Sequence, residues 1–247
     1  MHRFFISQQF FTSQGVILGQ EFAHRMGRVL RLLPGDPVVL LDNSGWEYDA
    51  EITRLSKDKV EARITSKRQS KGEPYIHLHL FQSLLKLDKF ELVLQKGVEL
   101  GIATFTPVIS LRSVAEAPAS NRISRWQRII LEAAEQSHRG RLPPLNPALS
   151  LEAALAIAPG QCIVPWEGED GVGLHQALGA LHTDPHQAHP GISLFIGPEG
   201  GWADEEVGLA RQHSALIVSL GPRILRAETA GLVTAAAILY HYGELGG

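Results

Sequence analysis

The chain has 247 residues, of which 44% are hydrophobic and 20% are charged, as expected for a globular protein of one large or two ordinary domains. No apolar run approaches the length of a membrane span, and the N-terminus lacks the apolar stretch and cleavage site of a signal peptide. The single cysteine, Cys162, excludes an internal disulfide and suits a reducing compartment. These features predict a cytoplasmic protein that has no membrane partner.

The net charge of −3 is unevenly distributed along the chain. Residues 1–72 carry a charge of +3, whereas residues 73–247 carry −6. A basic N-terminal part on an acidic body is typical of a module that faces a polyanion. Ordinary variation in surface charge explains the same difference equally well.

Short apolar runs broken by turn residues dominate the first 72 residues. They predict strands over residues 3–6, 38–41, 46–55 and 59–64 and a short amphipathic helix over residues 21–33. Such short strands indicate a small antiparallel barrel or sandwich. The polar stretch at 66–74 ends in Gly and Pro, so we place a domain boundary after residue 72.

Beyond that boundary, apolar strands alternate with amphipathic helices. We expect strands over 75–83, 104–109 and 161–165 and helices over 86–100, 122–137, 151–158 and 174–181. This rhythm predicts an α/β domain with a parallel sheet and helices on both faces. The final helix, over residues 229–242, is apolar nearly all round, which predicts burial, with a subunit interface as one candidate.

Two glycine-rich turns near the C-terminus are the most informative feature of the chain. Residues 192–201 (ISLFIGPEGG) and 215–230 (ALIVSLGPRILRAETA) each begin as a strand and break at a Gly-Pro pair. Ligands bind beyond the carboxyl ends of parallel strands, so two similar turns indicate one ligand between them. Neither turn has the spacing of a Walker loop or a dinucleotide fingerprint, and Asp204, Glu205 and Glu206 follow the first turn. The ligand is therefore expected to be neutral or cationic.

Charged residues near these turns have two readings. Arg226 and Glu228 either pair at the start of the last helix or act on a ligand, and we favour a functional role. Glu135 and Arg139 lie on the polar face of the stretch 122–139, and the residues alone favour a solvated face over a site there. The histidines at 182, 186 and 189 fit an exposed loop better than a metal site, so no metal is expected.

FIGPEGG and LGPRILRAETA, together with LEAAEQSHR upstream and AHRMGRVLR near the N-terminus, resemble the RsmE family. This family consists of bacterial enzymes of the SPOUT superfamily that methylate N3 of a uridine in 16S ribosomal RNA of the small subunit. The resemblance covers nearly the whole chain. It implies a PUA-like RNA-binding β-barrel over residues 1–72 and a SPOUT α/β methyltransferase domain with a trefoil knot over residues 73–247. It also implies a homodimer and S-adenosylmethionine as the methyl donor.

The resemblance also assigns residues to the site. The donor is expected to contact the two glycine turns and a third loop, at Pro165, Trp166, Glu167, Ile196, Gly197, Pro198, Glu199, Gly200, Gly201, Leu220, Gly221, Ile224, Leu225 and Thr229. The expected catalytic residues are Arg226, Glu228, Arg139 and Glu135, and the expected contacts to RNA phosphates are Arg3, Arg25, Arg28 and Arg31.

The chain departs from the family pattern at two positions. His138 stands where the family usually has a glycine before an arginine, which leaves the local backbone open. Ala203 stands where a serine cap is usual, so we expect Asp204 to cap the following helix.

The uridine N3 proton must leave before methyl transfer, so the expected mechanism needs a base or a cation that stabilises the uridine anion. We expect Arg226 and Arg139 to stabilise the anion and Glu228 or Glu135 to act as base or to orient those arginines. Two alternatives remain: a related enzyme that methylates ribose 2′-oxygens or guanine N1, and a non-catalytic RNA-binding protein with a relic donor pocket.

Overall fold

The structure is a computed structural model that describes residues 1–13, 15–86, 88–114, 117–181 and 191–246. The chain divides into two compact units. Unit 1 contains Met1–Glu73 and Ala134–Leu142, and unit 2 contains Pro74–Ala133 and the chain from Pro143 onward. The polar loop with the three histidines, at 182–190, lies outside the described residues.

Unit 1 is built on a six-stranded sheet with the order β1-β4-β5-β6-β3-β2. Its strands are β1 (His2–Phe5), β2 (Phe11–Thr12), β3 (Gly15–Leu18), β4 (Pro37–Leu41), β5 (Trp46–Leu55) and β6 (Val60–Gln69). All neighbours are antiparallel except β1 and β4, which are parallel. The sequence predicts an antiparallel arrangement and misses this parallel pair. The connection over residues 6–36 is long enough to cross from one strand to the other, as parallel pairing requires.

The predicted helix over residues 21–33 is shorter in the structure. Helix α1 (Gln20–Ala23) continues into a π-helical segment, His24–Val29. Arg31 then has a left-handed backbone with φ of 57°, which is incompatible with continued helix. Leu33 lies beyond the helix and is 66% exposed, so the apolar spacing overestimates its length.

Unit 2 is a parallel six-stranded sheet with the order β12-β10-β11-β7-β8-β9, which confirms the predicted fold class. The strands are β7 (His77–Ser83), β8 (Thr104–Ile109), β9 (Leu149–Ser150), β10 (Gln161–Pro165), β11 (Gly191–Ile196) and β12 (Leu216–Val218). The helices are α2 (Asp88–Leu100), α3 (Ser120–Gln136), α4 (Leu151–Ile157), α5 (Leu174–Ala180), α6 (Asp204–Gln212) and α7 (Ala227–His241). Whether this chain is threaded as a trefoil knot stays a prediction.

The core of unit 2 lies around its central strands. Phe81 on β7 and Phe195 on β11 are both fully buried, and their rings stack 4.3 Å apart. Helix α7 packs against α2 and β11 and buries Ile238 and Leu239 completely. The sequence predicts that this helix is buried on nearly all sides, but Tyr240 is 71% exposed. No helix in the described ranges is long and apolar enough to cross a membrane.

His79 on β7 provides a pH-dependent contribution to the stability of unit 2. Burial lowers the pKa of His79 from the ordinary 6.5 to about 4. Its Nε2 lies 2.9 Å from Thr106 Oγ1, and its ring stacks on Phe81. The neutral ring is therefore favoured in the folded state, and its contribution is present above pH 6.5 and is lost as the pH falls towards 4.

We predict that His79→Gln destabilises the protein more at pH 7 than at pH 4. At about 1.4 kcal/mol per pH unit, the difference between the two pH values approaches 3 kcal/mol. Urea unfolding of both proteins across this pH range measures it. A cost of substitution that does not change with pH would contradict this role of His79.

Candidate functional site

Three adjacent strands bring three loops to one edge of the sheet in unit 2. Strands β11, β10 and β12 are parallel neighbours, so their carboxyl ends open on the same side. The loops that follow them, at 166–170, 197–202 and 219–226, surround a cavity of about 790 Å³. This volume lies within the range of small-molecule and cofactor sites, ~300–1,000 Å³.

The first and third loops are held together by backbone hydrogen bonds. The N–H of Trp166 donates to the carbonyl of Val218 at 3.0 Å, and the N–H of Ser219 donates to the carbonyl of Val172 at 2.8 Å. The N–H of Leu174 then donates to the carbonyl of Ser219 at 3.0 Å. Because these bonds join loops that are more than 40 residues apart, they fix one wall of the cavity.

The second loop, residues 197–202, is a tight turn that we call the 197–202 turn. The N–H of Gly201 donates to the carbonyl of Pro198 at 3.0 Å, and Gly201 has φ of 69°. A Cβ on Gly197 would lie 3.3 Å from the Trp202 ring, so a side chain there would press on the indole. These positions require glycine for backbone conformation and for close packing.

Arg112, on the segment after β8, holds the 197–202 turn, and Glu206 on α6 joins that segment to the start of its own helix. Arg112 Nη1 donates to the carbonyls of Gly200 at 3.1 Å and Trp202 at 3.3 Å. Glu206 Oε1 accepts from the N–H of Leu111 at 2.9 Å, and its Oε2 accepts from that of Ala203 at 2.9 Å. The sequence contains no sign of Arg112, which is 88 positions from Gly200, and it placed Glu206 only at the start of the helix, without its contact to Leu111, which is 95 positions away.

The expectation that Asp204 caps α6 is therefore corrected. Asp204 is the first residue of α6 and is exposed, whereas Glu206 in the same turn accepts the hydrogen bond from the N–H of Ala203. Alanine has no oxygen with which to cap, so the glutamate three residues later satisfies the helix start instead. The acidic first turn also suits the positive end of the helix dipole.

Arg226 lines the cavity and is exposed. In the part of the chain that the structure describes, its guanidinium forms no ion pair, so the suggested pairing with Glu228 is not found. Arg226 is also the residue before α7, and its carbonyl accepts from the N–H groups of Thr229 and Ala230. The backbone is thus fixed while the cationic side chain is available to a ligand.

Glu228 is buried in the first turn of α7, beside the cavity. Its Oε2 has no hydrogen-bond partner among the described residues and lies 3.6 Å from Lys89 Nζ. Lys89 Nζ also donates to Glu199 Oε1 at 3.3 Å. Burial raises the pKa of Glu199, but hydrogen bonds from its own N–H, from the N–H of Lys86 and from Lys89 outweigh burial and lower it. Glu199 is therefore ionised at neutral pH.

Most residues expected to contact the donor line this cavity. They are Pro165, Trp166, Glu167, Ile196, Gly197, Pro198, Glu199, Gly201, Leu220, Gly221, Ile224 and Leu225. Gly200 and Thr229 are not among the lining residues. The lining also includes residues that the sequence did not single out as contacts, among them Lys89, Glu169, Asp170, Trp202 and Ser219. Lys89 was missed because its spacing on α2 is that of an ordinary solvated position.

Glu135 and Arg139 do not line the cavity and are grouped with unit 1. Glu135 is buried, accepts from the N–H of Phe5 at 3.2 Å and pairs with Arg25. Arg139 is 3% exposed and forms a bidentate ion pair with Glu73, at 3.0 and 2.8 Å. The expected catalytic set is therefore divided among the described residues. Arg226 lines the cavity, Glu228 is buried behind the lining residue Ala227, and Glu135 and Arg139 form their ion pairs within unit 1.

The four arginines expected to contact RNA also differ. Arg3 is buried and paired with Glu47, and Arg25 is engaged by Glu135. A buried guanidinium already paired with a carboxylate is not available to a phosphate, so we leave Arg3 out of the RNA surface proposed below. Arg28 and Arg31 are exposed, and neither forms an ion pair with another described residue.

His138 has a left-handed backbone, with φ of 64°. The N–H of the following Arg139 donates to the carbonyl of Ala134 at 3.0 Å and closes the end of α3. This conformation explains why a glycine suits the position, and the histidine adopts it at some cost in strain.

Comparisons with known proteins agree with this architecture. The model of the RNA methyltransferase domain matches residues 71–239, and that of the RNA methyltransferase PUA domain matches residues 19–65. The fold is therefore that of an RNA methyltransferase with a PUA domain.

Relatives over the whole chain define the family more closely. Ribosomal RNA small subunit methyltransferase E of Bacillus subtilis is 33% identical over 97% of this chain and 96% of its own. The Synechocystis enzyme of the same name is 35% identical over 87% of this chain and 69% of its own. The crystal structure of the Neisseria gonorrhoeae enzyme bound to S-adenosyl methionine has a TM-score of 0.85 at 33% identity, covering 97% of both chains. The chain belongs to the ribosomal RNA small subunit methyltransferase E family.

We predict that Arg112→Ala loosens the 197–202 turn. Two hydrogen bonds from the exposed Arg112 are lost, so amide hydrogen exchange over residues 199–203 should accelerate about tenfold. Exchange measured by mass spectrometry on the ligand-free protein tests this. Arg128→Ala, at an exposed position of α3, is the matched control and should leave the turn unchanged. Equal exchange in all three proteins would show that Arg112 does not support the turn.

Proposed function

We propose that this protein transfers a methyl group from S-adenosylmethionine to N3 of a specific uridine in 16S ribosomal RNA of the small subunit. The observation that carries the proposal is the cavity enclosed by the three loops, whose lining includes Arg226, a guanidinium that forms no ion pair with another described residue. Membership of the family supports the reaction, and the bound donor of the Neisseria enzyme supports the cofactor.

The residues around the cavity fit this donor. Its adenine is neutral and its sulfonium is cationic, and the lining contributes the carboxylates of Glu167, Glu169, Asp170 and Glu199 without a phosphate-binding glycine motif. The left-handed Gly201 and Gly221, with φ of 69° and 96°, let backbone approach a ligand closely. The loops at 165–167, 196–201 and 220–225 would hold the donor, which supplies an electrophilic methyl group when bound.

The chain's own residues supply the acid–base chemistry. Deprotonation of uridine N3 leaves negative charge delocalised over the base, and the cationic Arg226 is suited to stabilise it. Glu228 is the buried carboxylate beside the cavity and is our candidate for the group that accepts the proton or orients the arginine. Positioning of the reactants contributes the remainder, since an in-line displacement depends on alignment.

Glu135 and Arg139 have a different proposed role from the one that the sequence suggested. Each is held by ion pairs inside unit 1, so we assign them to the stability of that unit. We assign the contacts to RNA phosphates to Arg28 and Arg31, which are exposed there.

We also propose that the protein acts in the cytoplasm as a homodimer. The proposed ribosomal RNA substrate supports the cytoplasmic location. The homodimer is supported by the largely apolar helix α7, on which Val233 and Tyr240 are 47% and 71% exposed.

Arg226→Ala should abolish most methyl transfer without abolishing donor binding. Loss of one charge-stabilising group typically lowers kcat by about a hundredfold to a thousandfold. The assay is mass mapping of 16S ribosomal RNA from cells that lack this gene, after addition of wild-type or variant protein, with Arg128→Ala as the control.

The wild-type protein should add one methyl group at N3 of one uridine, and the variant should not. Methylation at a ribose 2′-oxygen or at guanine N1 would identify the related reaction instead. No methylation and no calorimetric binding of S-adenosylmethionine would support a relic pocket, and normal turnover by the variant would exclude Arg226 from catalysis.

Replacing Arg28 and Arg31 together with alanine should weaken RNA binding and reduce its salt dependence. Each phosphate contact contributes about 0.7–0.9 to the slope of log K against log salt, so the slope should fall by about 1.5. The double variant Arg54→Ala, Arg63→Ala removes the same charge from exposed positions of β5 and β6 and is the control. A slope unchanged from wild type would contradict the assignment.

A further inference from the structure

We propose that Lys89 is a positioning residue that couples the 197–202 turn to Glu228. The inference rests on the proposed function, since it concerns the same cavity and the same reaction. It adds a residue to which neither the sequence motifs nor the family resemblance gave a role.

Lys89 lies in the first turn of α2 and contacts two other elements of unit 2. Its Nζ is 3.3 Å from Glu199 Oε1, on the 197–202 turn, and 3.6 Å from Glu228 Oε2, on α7. Lys89 also lines the cavity itself. One ammonium group thus bridges a loop that we assign to the donor and a carboxylate that we assign to catalysis.

Glu228 depends on this ammonium group for its charge balance. The carboxylate side chain is 11% exposed, and its Oε2 has no hydrogen-bond donor among the described residues. A buried carboxylate without a partner is strongly disfavoured, whereas one beside a cation is tolerated. Among the described residues, Lys89 is the one cation that forms an ion pair with Glu228. Lys89 therefore keeps Glu228 in its buried position.

Glu199 is fixed by the same end of α2. Its Oε1 accepts from the N–H of Lys86 at 3.3 Å as well as from Lys89. Since Gly197, Pro198 and Gly201 of the same turn line the cavity, the start of α2 sets where this wall lies. The shared lysine means that a displacement of the turn also changes the environment of Glu228.

An ordinary exposed ion pair would behave differently. Such pairs contribute ~0–1 kcal/mol, and their removal leaves both partners in water. Lys89 itself is 36% exposed, but Glu228 is not in water, so loss of the lysine leaves a buried charge unbalanced. The effect should therefore be seen in function as well as in stability.

The test compares Lys89→Met with Lys89→Arg and with the control Lys96→Met. Lys96 lies on the same helix, is 45% exposed and pairs with Glu99 three residues away. Its replacement by methionine therefore removes the same charge and an ion pair, but at a residue that does not line the cavity. Calorimetry with S-adenosylmethionine alone should give a Kd about threefold to tenfold higher for Lys89→Met. Its kcat for methyl transfer should be at least about tenfold lower. Lys89→Arg should recover most of both, and Lys96→Met should equal wild type.

Double variants separate positioning from a general loss of stability. If Lys89 acts through Glu228, Lys89→Met should change kcat less than twofold in a Glu228→Gln background. If it also acts through Glu199, it should raise the Kd less than twofold in a Glu199→Gln background. Independent effects that multiply in both backgrounds would overturn the coupling, as would wild-type values for Lys89→Met.

The two proposals fail in distinguishable ways. A wild-type protein that binds no donor and methylates no RNA would overturn the proposed function and with it the role of Lys89. A wild-type protein that binds and transfers, together with a Lys89→Met variant that does both equally well, would overturn the role of Lys89 alone.

Discussion

The parallel pairing of β11, β10 and β12 is the constraint on which the site depends. Because adjacent parallel strands end at the same edge, the loops after Pro165, Ile196 and Val218 must converge, although 53 positions separate the first strand end from the last. The backbone bonds of Trp166 and Ser219 follow from this convergence, and the glycines allow the loops to turn tightly where they meet. A residue in any of the three loops is therefore brought to the cavity by its position a few residues after the end of its strand.

Of the three cations that line the cavity, Lys89 is held by carboxylates, whereas Arg223 and Arg226 form no ion pair with another described residue. Lys89 is shared between Glu199 and Glu228, while the guanidinium of Arg226 forms no ion pair with another described residue. The buried carboxylate and the exposed guanidinium are two residues apart at the start of α7, where the helix dipole favours the acid. This arrangement keeps the carboxylate that we propose as proton acceptor apart from the guanidinium that we propose to stabilise the anion.

The sequence locates the glycine-rich loops that meet at the cavity. It does not reveal the residues that support those loops from other parts of the chain. Local signals, such as Gly-Pro after an apolar strand, locate the loops at 197–202 and 219–226 and the start of α7. Lys89, Arg112 and Glu206 act through partners on distant segments, and no periodicity reveals such contacts. Glu135 and Arg139 were expected at the site because of the family resemblance, but residues 134–142 belong to unit 1. Helical spacing shows which residues share a face, and it does not show which unit that face meets.

The central claim is that three separate loops form one donor pocket. Amide hydrogen exchange of the wild-type protein with and without S-adenosylmethionine tests it most directly. We expect the donor to slow exchange together over residues 166–170, 197–202 and 219–226, with the same concentration dependence, and to leave the strands of unit 1 unaffected. Protection confined to one loop, or absent from all three, would contradict the account.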